Sequence, residues 1–213
     1  MMPHDHHDHL SPSGHPYRKD NDEPLTYWQC MEIAMRELLI EKGVTTATEI
    51  ASQIDTMDAR SPANGAAVVA RSWVDPAFKA RLLENASRAS REMGFDIGTL
   101  RLIALENTED IHNVVVCTLC SCYPRNLLGL PPDWYKTRAY RSRVVKEPRK
   151  VLAEFGLELP AETTVRVHDS TADMRYIVIP ARPDGTENMT EEELAELVSR
   201  DSMIGTGIAK LPS

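Results

Sequence analysis

The stretch VVVCTLCSCYP, from Val114 to Pro124, contains three of the four cysteines of this chain within six residues. A run of valines is typical of a buried β-strand, and proline and serine mark the loop that follows it. The stretch therefore predicts a strand that delivers Cys117, Cys120 and Cys122 to a loop at its carboxyl end.

Clustered cysteines in a protein that is not exported bind metal or take part in redox chemistry more often than they form structural disulfides. A structural zinc site needs four ligands, often as two pairs, and here no second pair follows. Cys30 lies on a helical stripe and is expected to be a buried, inert thiol. Zinc binding, disulfide exchange and three reduced structural thiols remain as alternatives to a catalytic metal.

The short spacing suggests a site that also uses the backbone. If Cys120 and Cys122 bind one ion, the amide nitrogens of Ser121 and Cys122 come within bonding distance of it. Ionising a peptide amide requires a strongly Lewis-acidic trivalent ion. Three sulfurs and two amide nitrogens fill five positions of an octahedron, and an open sixth position is the mark of a catalytic metal.

Composition limits the partners. The 213 residues are 42% hydrophobic and carry a net charge of −8, which argues against nucleic acid or an anionic membrane surface as a partner. No apolar run has the roughly 18–20 residues of a membrane span. The amino terminus has no apolar core typical of a secretory signal, so a cytoplasmic location is expected.

Three regions differ in pattern. Residues 1–21 are rich in His and Asp and are expected to form a disordered tail that could hold divalent metal loosely. Residues 22–95 are predicted to form an extended helical arm that packs on a partner subunit. Its signals are Pro24 in a first helical turn, a Thr46–Glu49 capping box and proline after a cap at Ser61 and at Asp75.

Residues 96–213 are predicted to form a layered α+β domain that carries the metal loop. LRLIAL, NVVVC, TTVRVHD and MRYIVIP read as strands, and the last two are expected to form a hairpin across residues 170–173. Helices are expected from Trp134 to Val145, after Glu147-Pro148, and after a Thr190–Glu193 capping box. His112 is interpreted as a strand-edge or subunit-contact residue.

VCTLCSCYP, preceded by ENTEDIHN and followed by LGLPPDWYKTRAYRSRVV, resembles the α subunit of nitrile hydratase. NGAAVVARSWVDPAFKARLL, RYIVIPARPDGT and DSMIG extend the similarity from about Pro24 to Gly205. The resemblance implies an enzyme, a lyase that hydrates nitriles to amides with a β subunit in an αβ or α2β2 assembly. An activator or metallochaperone protein is a further expected partner.

The resemblance also implies roles for individual residues. Cys117 is expected to be the axial thiolate, Cys120 a sulfinic acid and Cys122 a sulfenic acid, with the Ser121 and Cys122 amides completing a claw around the metal. Family members with threonine at the position of Thr118 are similar to the cobalt type, so one non-corrin Co(III) per chain is expected, with Fe(III) as the alternative. Asp169 and Arg175 are expected to lie around the metal centre, with a plain ion pair across a hairpin as the alternative. Trp134 and Tyr135 are expected to form part of the wall of the substrate pocket.

One feature departs from the nitrile hydratase pattern. Arg125-Asn126 follows the motif where many members of that family have Trp-Pro, and an arginine there is similar to the γ subunit of thiocyanate hydrolase, a sister enzyme. Thiocyanate hydrolysis to carbonyl sulfide and ammonia is therefore the second hypothesis. A cobalt-delivery module that acts through the His-rich tail is the third.

Overall fold

The computed structural model describes residues 24–120 and 122–212, with only the backbone of Asp58. The predicted tail at residues 1–21 and the predicted metal ligand Ser121 lie outside the described residues. The chain divides into two compact units, Met1–Ala59 and Arg60–Ser213. Among the described residues, no helix is long and apolar enough to cross a membrane.

The first unit contains two helices, α1 (Tyr27–Glu41) and α2 (Ala47–Asp58). The predicted Thr46–Glu49 capping box is confirmed at the start of α2. Pro24 lies before α1, not in its first turn, because Thr26 and Gln29 form a second capping box that sets the start of the helix. No residue of α1 is buried.

The second unit begins with α3 (Ala63–Val74), α4 (Pro76–Glu84) and α5 (Ala86–Glu92). The Asp75 cap with proline in the first turn is confirmed. After Asp75-Pro76 the sequence pattern predicts one helix that ends near Gly94. The structure has two helices instead, because the side chain of Asn85 caps α5 by accepting a hydrogen bond from the amide of Arg88. Both α4 and α5 contact the first strand, so residues 60–95 belong to the same compact unit as the strands.

Within residues 24–120 and 122–212, four strands form two parallel pairs. β1 (Arg101–Glu106) pairs with β4 (Met174–Ile179), and β2 (Ile111–Val116) pairs with β3 (Thr164–Asp169). The predicted hairpin between β3 and β4 is therefore wrong. Residues 170–173 contain no glycine, and no described non-glycine residue has positive φ, so the tight primed turn that favours a hairpin is not formed.

Short helices follow the cysteine loop: α6 (Arg125–Leu128), α7 (Asp133–Lys136), α8 (Arg138–Lys146) and α9 (Pro148–Glu154). The helices expected from Trp134 to Val145 are confirmed as α7 and α8, which are separated at Thr137, whose side chain caps α8. The Thr190–Glu193 capping box is confirmed at α10 (Glu191–Leu197), and α11 (Arg200–Ile204) follows. The mixed helix-and-strand class predicted from the sequence is confirmed.

The core lies where the two strand pairs meet the helices. The ends of β2 (114–116) and β4 (177–179) are buried together with side chains of α3, α4, α8 and α9. Burying apolar surface in this way contributes about 25 cal/mol per Å². The end of β2 is therefore held in the core, and the cysteine loop begins directly after it.

His112 is buried within β2, so its expected position at a strand edge or subunit contact is wrong. Its Nε2 lies 2.7 Å from the carbonyl oxygen of Gly205, and its Nδ1 lies 3.2 Å from Nδ2 of Asn107. Burial lowers the pKa of His112, and this effect is larger than the opposing rise caused by the hydrogen bond to Gly205. The neutral ring thus fastens the carboxyl-terminal segment to the strand that carries the cysteines.

Gly205→Ala is expected to lower the free energy of unfolding by about 3–5 kcal/mol, because a Cβ there would lie 1.9 Å from the carbonyl oxygen of Asn113 at φ +89°. Gly185→Ala is the matched control: φ is +79°, and no atom lies within 4 Å of the added carbon. Backbone strain alone is expected to cost the control about 1–2 kcal/mol. Urea unfolding of both variants measures the difference, and equal losses would contradict the close contact.

Candidate metal centre

The loop after β2 brings three sulfur atoms together. Sγ of Cys120 lies 3.6 Å from Sγ of Cys117 and 3.2 Å from Sγ of Cys122. The amide of Cys120 donates to Sγ of Cys117 over 3.3 Å. Cys117 and Cys122 are buried and Cys120 is exposed, so the group is open to solvent on one side.

The donor set fits a metal ion. The three sulfurs all lie within 4.8 Å of one another, and among residues 24–120 and 122–212 they form the one group of three His, Cys, Asp or Glu side chains close enough to share an ion. Thiolate sulfur is a soft ligand that suits transition metals. The structure thus brings together the three predicted cysteine ligands. Because Ser121 lies outside the described residues, the two amide nitrogen ligands stay a prediction.

Burial raises the pKa of the Cys122 thiol to about 12, and the hydrogen bonds that the protonated thiol makes with Cys120 and Cys117 add to the rise. The positive charge of Arg175 acts in the opposite direction. Without a metal, this thiol is protonated at neutral pH. A bound cation must therefore displace the proton to obtain the thiolate.

Two buried tyrosines donate hydrogen bonds to the backbone of the cysteine loop and of the strand end before it. Tyr140 donates its hydroxyl to the carbonyl oxygen of Val115 over 2.7 Å, and Tyr135 donates to that of Cys122 over 3.0 Å. Both tyrosines are buried, and their rings lie edge to face with Trp134. Tyr135 thus contacts the backbone of Cys122, and the predicted place of Tyr135 and Trp134 in a substrate pocket wall stays a prediction.

Asp169, at the end of β3, holds the loop at Thr118. Its carboxylate accepts hydrogen bonds from the Thr118 amide over 2.9 Å and from the Thr118 hydroxyl over 2.5 Å. The alternative prediction of an ion pair between Asp169 and Arg175 is wrong, because among the described residues no salt bridge joins these two side chains. Arg175 instead donates to the carbonyl oxygens of Thr171, Ala172 and Met174.

Asp169→Asn is expected to speed hydrogen exchange of the Thr118 amide about tenfold or more, because a charged acceptor makes a hydrogen bond worth roughly 1.5–3 kcal/mol. Asp173→Asn, at an exposed position directly before β4, is the control. Hydrogen–deuterium exchange of both variants, followed by mass spectrometry, measures the exchange rate of the Thr118 amide. Equal protection in both would mean that Asp169 does not hold the loop.

Arg141 is a site residue that the sequence does not reveal. With Arg138, Arg143 and Arg149 it belongs to a basic face, for which a solvated surface or docking to an acidic partner is the sequence interpretation. The structure shows that Nη1 of Arg141 donates to the carbonyl oxygens of Cys120 over 3.0 Å and Thr118 over 3.3 Å. The one sequence signal for Arg141 is its place directly after Tyr140, which also binds the segment that carries the cysteines.

Two further residues singled out in the sequence, Cys30 and Arg125, are not members of the sulfur group. Cys30 is exposed on α1, so the expectation that it is buried is wrong. Arg125 begins α6 directly after the loop and lines a small cavity together with Pro124, Asn126 and Arg175. On the other side of the loop, a depression of about 650 Å³ is lined by Thr118, the exposed Leu119, and Arg138 and Arg141 of α8.

Comparison with known proteins assigns a family to this arrangement of strand, cysteine loop and helices. The model of the nitrile hydratase alpha chain matches residues 26–207. The chain therefore belongs to the nitrile hydratase α family, and the predicted enzyme class, a nitrile-hydrating lyase, is confirmed at the level of that family.

Individual relatives agree. The low-molecular weight cobalt-containing nitrile hydratase subunit alpha of Rhodococcus rhodochrous is 50% identical over 184 residues, which cover 84% of this chain and 88% of that protein. The thiocyanate hydrolase subunit gamma of Thiobacillus thioparus is 42% identical over 200 residues, covering 88% and 82% of the two chains.

Solved structures are similar over most of their length. A recombinant thiocyanate hydrolase with partially modified cobalt centers matches with a TM-score of 0.84 at 42% identity, covering 88% of this chain and 92% of that one. A double mutant of an Fe-type nitrile hydratase from Comamonas testosteroni Ni1 matches with a TM-score of 0.83 at 40% identity, covering 89% and 94%.

Proposed function

We propose that this chain is the α subunit of a cobalt nitrile hydratase that converts nitriles to amides together with a β subunit. The observation that carries the proposal is the group of three sulfurs within 4.8 Å at the end of β2, in a chain of the nitrile hydratase α family. The open side of this group at Cys120 leaves room for a substrate to approach.

The ion is proposed to be non-corrin Co(III), one per chain. Support comes from Thr118 in the motif and from the 50% identical cobalt-containing relative. Fe(III) is the alternative, since an Fe-type structure is also similar. When bound, a trivalent ion supplies Lewis acidity, which polarises a nitrile or lowers the pKa of a water molecule.

The residues of this chain bind and orient the reacting groups. Cys117 is proposed to hold the ion as a thiolate, with Cys120 as sulfinic acid and Cys122 as sulfenic acid. The sulfenate oxygen of Cys122 acts as the base that takes a proton from water while the water oxygen bonds to the nitrile carbon. Alternatively, it bonds to the nitrile carbon itself, and water then attacks the sulfur, which breaks the sulfur–oxygen bond to the imidate and restores the sulfenic group. The imidate that results takes up a proton on nitrogen, loses one from oxygen and becomes the amide. Tyr135, through the Cys122 carbonyl, and Asp169, through Thr118, hold this geometry.

Mass spectrometry of the purified complex is expected to find two added oxygens on Cys120, one on Cys122 and none on Cys117. In the proposed centre the backbone nitrogens of Ser121 and Cys122 would also hold the ion, and their negative charge is expected to make the neighbouring Cys120 and Cys122 sulfurs richer in electrons than that of Cys117. Cys30 is the internal control, since its thiol is exposed but lies outside the sulfur group. A complex that is active with all three loop cysteines reduced would contradict the oxidation pattern.

The β subunit is proposed to complete the site in an αβ or α2β2 assembly, and an activator protein is proposed to load the metal. The exposed apolar side chains of α1, among them Trp28, Met35 and Leu38, suit a partner surface. The division into a tail (1–21), a partner-binding arm (22–95) and a catalytic domain (96–213) is kept as a proposal. The cytoplasmic location stays a prediction.

Thiocyanate hydrolysis is the second candidate, favoured by Arg125 directly after the cysteine loop and by the 42% identical γ subunit. Product analysis of the purified complex separates the two. Formation of an amide from a nitrile without release of ammonia supports the proposal. Formation of carbonyl sulfide and ammonia from thiocyanate, with nitriles inert, would overturn it in favour of the sister enzyme.

A further inference from the structure

Donors from the segment 133–146 bind four carbonyl oxygens of the cysteine loop and the strand end before it. Tyr140 binds Val115, Tyr135 binds Cys122, and Arg141 binds both Thr118 and Cys120. Of these donors, Arg141 is the charged one. The Thr137 cap fixes the start of α8, and the buried Tyr140 hydroxyl fixes the helix to β2, so Arg141 is held against the loop.

The carbonyl oxygen of Cys120 has a particular chemical significance. It belongs to the same peptide unit as the nitrogen of Ser121, which is a metal ligand in the proposed function. A peptide nitrogen that binds a metal ion in its anionic form shares its negative charge with the carbonyl oxygen of that unit by resonance. The guanidinium of Arg141 lies 3.0 Å from this oxygen.

We propose that Arg141 is a positioning residue that stabilises the metal-bound form of the Cys120–Ser121 peptide unit by placing a positive charge on its carbonyl oxygen. This inference rests on the proposed function, since it requires a metal ion at the cysteines. A hydrogen bond from a guanidinium to an oxygen that carries negative charge is stronger than one to a neutral carbonyl. The second bond, to Thr118, keeps the guanidinium in place on the same loop.

The surroundings of Arg141 favour this role over a solvated surface charge. Its Nε is buried and has no hydrogen-bond partner among the described residues, and no described acidic side chain forms a salt bridge with it. The charge of Arg141 is therefore not neutralised by a carboxylate within the described chain. It is directed to the two loop carbonyls.

The test compares Arg141→Met, Arg141→Lys and the control Arg138→Met in the full chain co-expressed with its β partner. Arg138 lies on the same helix and lines the same depression. The measurements are the rate of cobalt release to a chelator and the energy of the thiolate-to-cobalt absorption band. In Arg141→Met we expect about tenfold or faster release and a shifted band, since a charge-assisted hydrogen bond is lost. Arg141→Lys should bring the release rate and the band energy part of the way back to the wild-type values. Arg138→Met should change neither the release rate nor the band energy.

The outcomes separate the inference from the proposed function. Cobalt in the wild-type complex with an unshifted band and unchanged release in Arg141→Met would overturn the role of Arg141 and leave the metal centre intact. Faster release with an unshifted band in that variant would also overturn it, because a loop that is merely loosened changes the rate alone. A wild-type complex without cobalt at the cysteines would overturn both.

Discussion

Replacing Cys117, Cys120 or Cys122 singly with serine is expected to remove cobalt from the complex and to lower nitrile hydration about a thousandfold or more, since metal-ion catalysis supplies several kcal/mol. The three sulfurs lie within 4.8 Å of one another, so each substitution removes one of the soft ligands that this site brings together. Elemental analysis and amide formation measure the two losses.

Cys30→Ser is the matched control. This thiol is exposed on α1 and is not part of the sulfur group, so the variant is expected to keep its cobalt and its activity. Circular dichroism of each variant distinguishes loss of the metal from loss of the fold. A Cys120→Ser complex that retains the metal undisturbed would show that the cysteine loop does not hold it.

The isolated chain is expected to be nearly inactive, with the activity restored about a hundredfold or more by the β partner, because donors that stabilise developing charge are worth that much in a dry site. Within the described residues, the group is open at Cys120, and Leu119 beside it is 84% exposed. The β partner is therefore expected to supply the surface that closes this side of the site. Activity assays with and without the partner test this expectation.

The α1 face offers a second measurement of the same dependence. The triple variant Trp28→Ser, Met35→Ser, Leu38→Ser is expected to fold, because these side chains are exposed, but not to co-purify with the β partner. Glu37→Gln, on the opposite face of the helix from Trp28, is the control. Strong activity from the isolated chain, or normal assembly of the triple variant, would show that this interpretation of α1 is wrong.

Local signals in the sequence predict much of the structure. The capping boxes at Thr46 and Thr190 and the Asp75 cap are decided by residues three apart, so they can be read directly from the sequence. The cysteine loop is predictable for the same reason, because its three cysteines lie within six residues and follow a recognisable strand.

Features that depend on distant residues are not predictable in this way. Strand pairing joins β3 to β2 and β4 to β1, and the choice between a hairpin and two parallel ladders depends on which pairing buries the ends of β2 and β4. The position of His112 depends on Gly205, which lies 93 residues further along the chain. Arg141 resembles a surface charge because its partners are loop carbonyls, which leave no mark in the side-chain sequence.

X-ray absorption at the cobalt K-edge of the wild-type complex tests the central claim most directly. The account predicts a first shell of sulfur together with nitrogen, since the three cysteines and the backbone of their loop are proposed to hold the ion. Removal of residues 1–20, which contain five of the seven histidines, should leave this shell and the cobalt content unchanged. A shell of nitrogen and oxygen alone that disappears with the tail would contradict the account and favour a cobalt-delivery module.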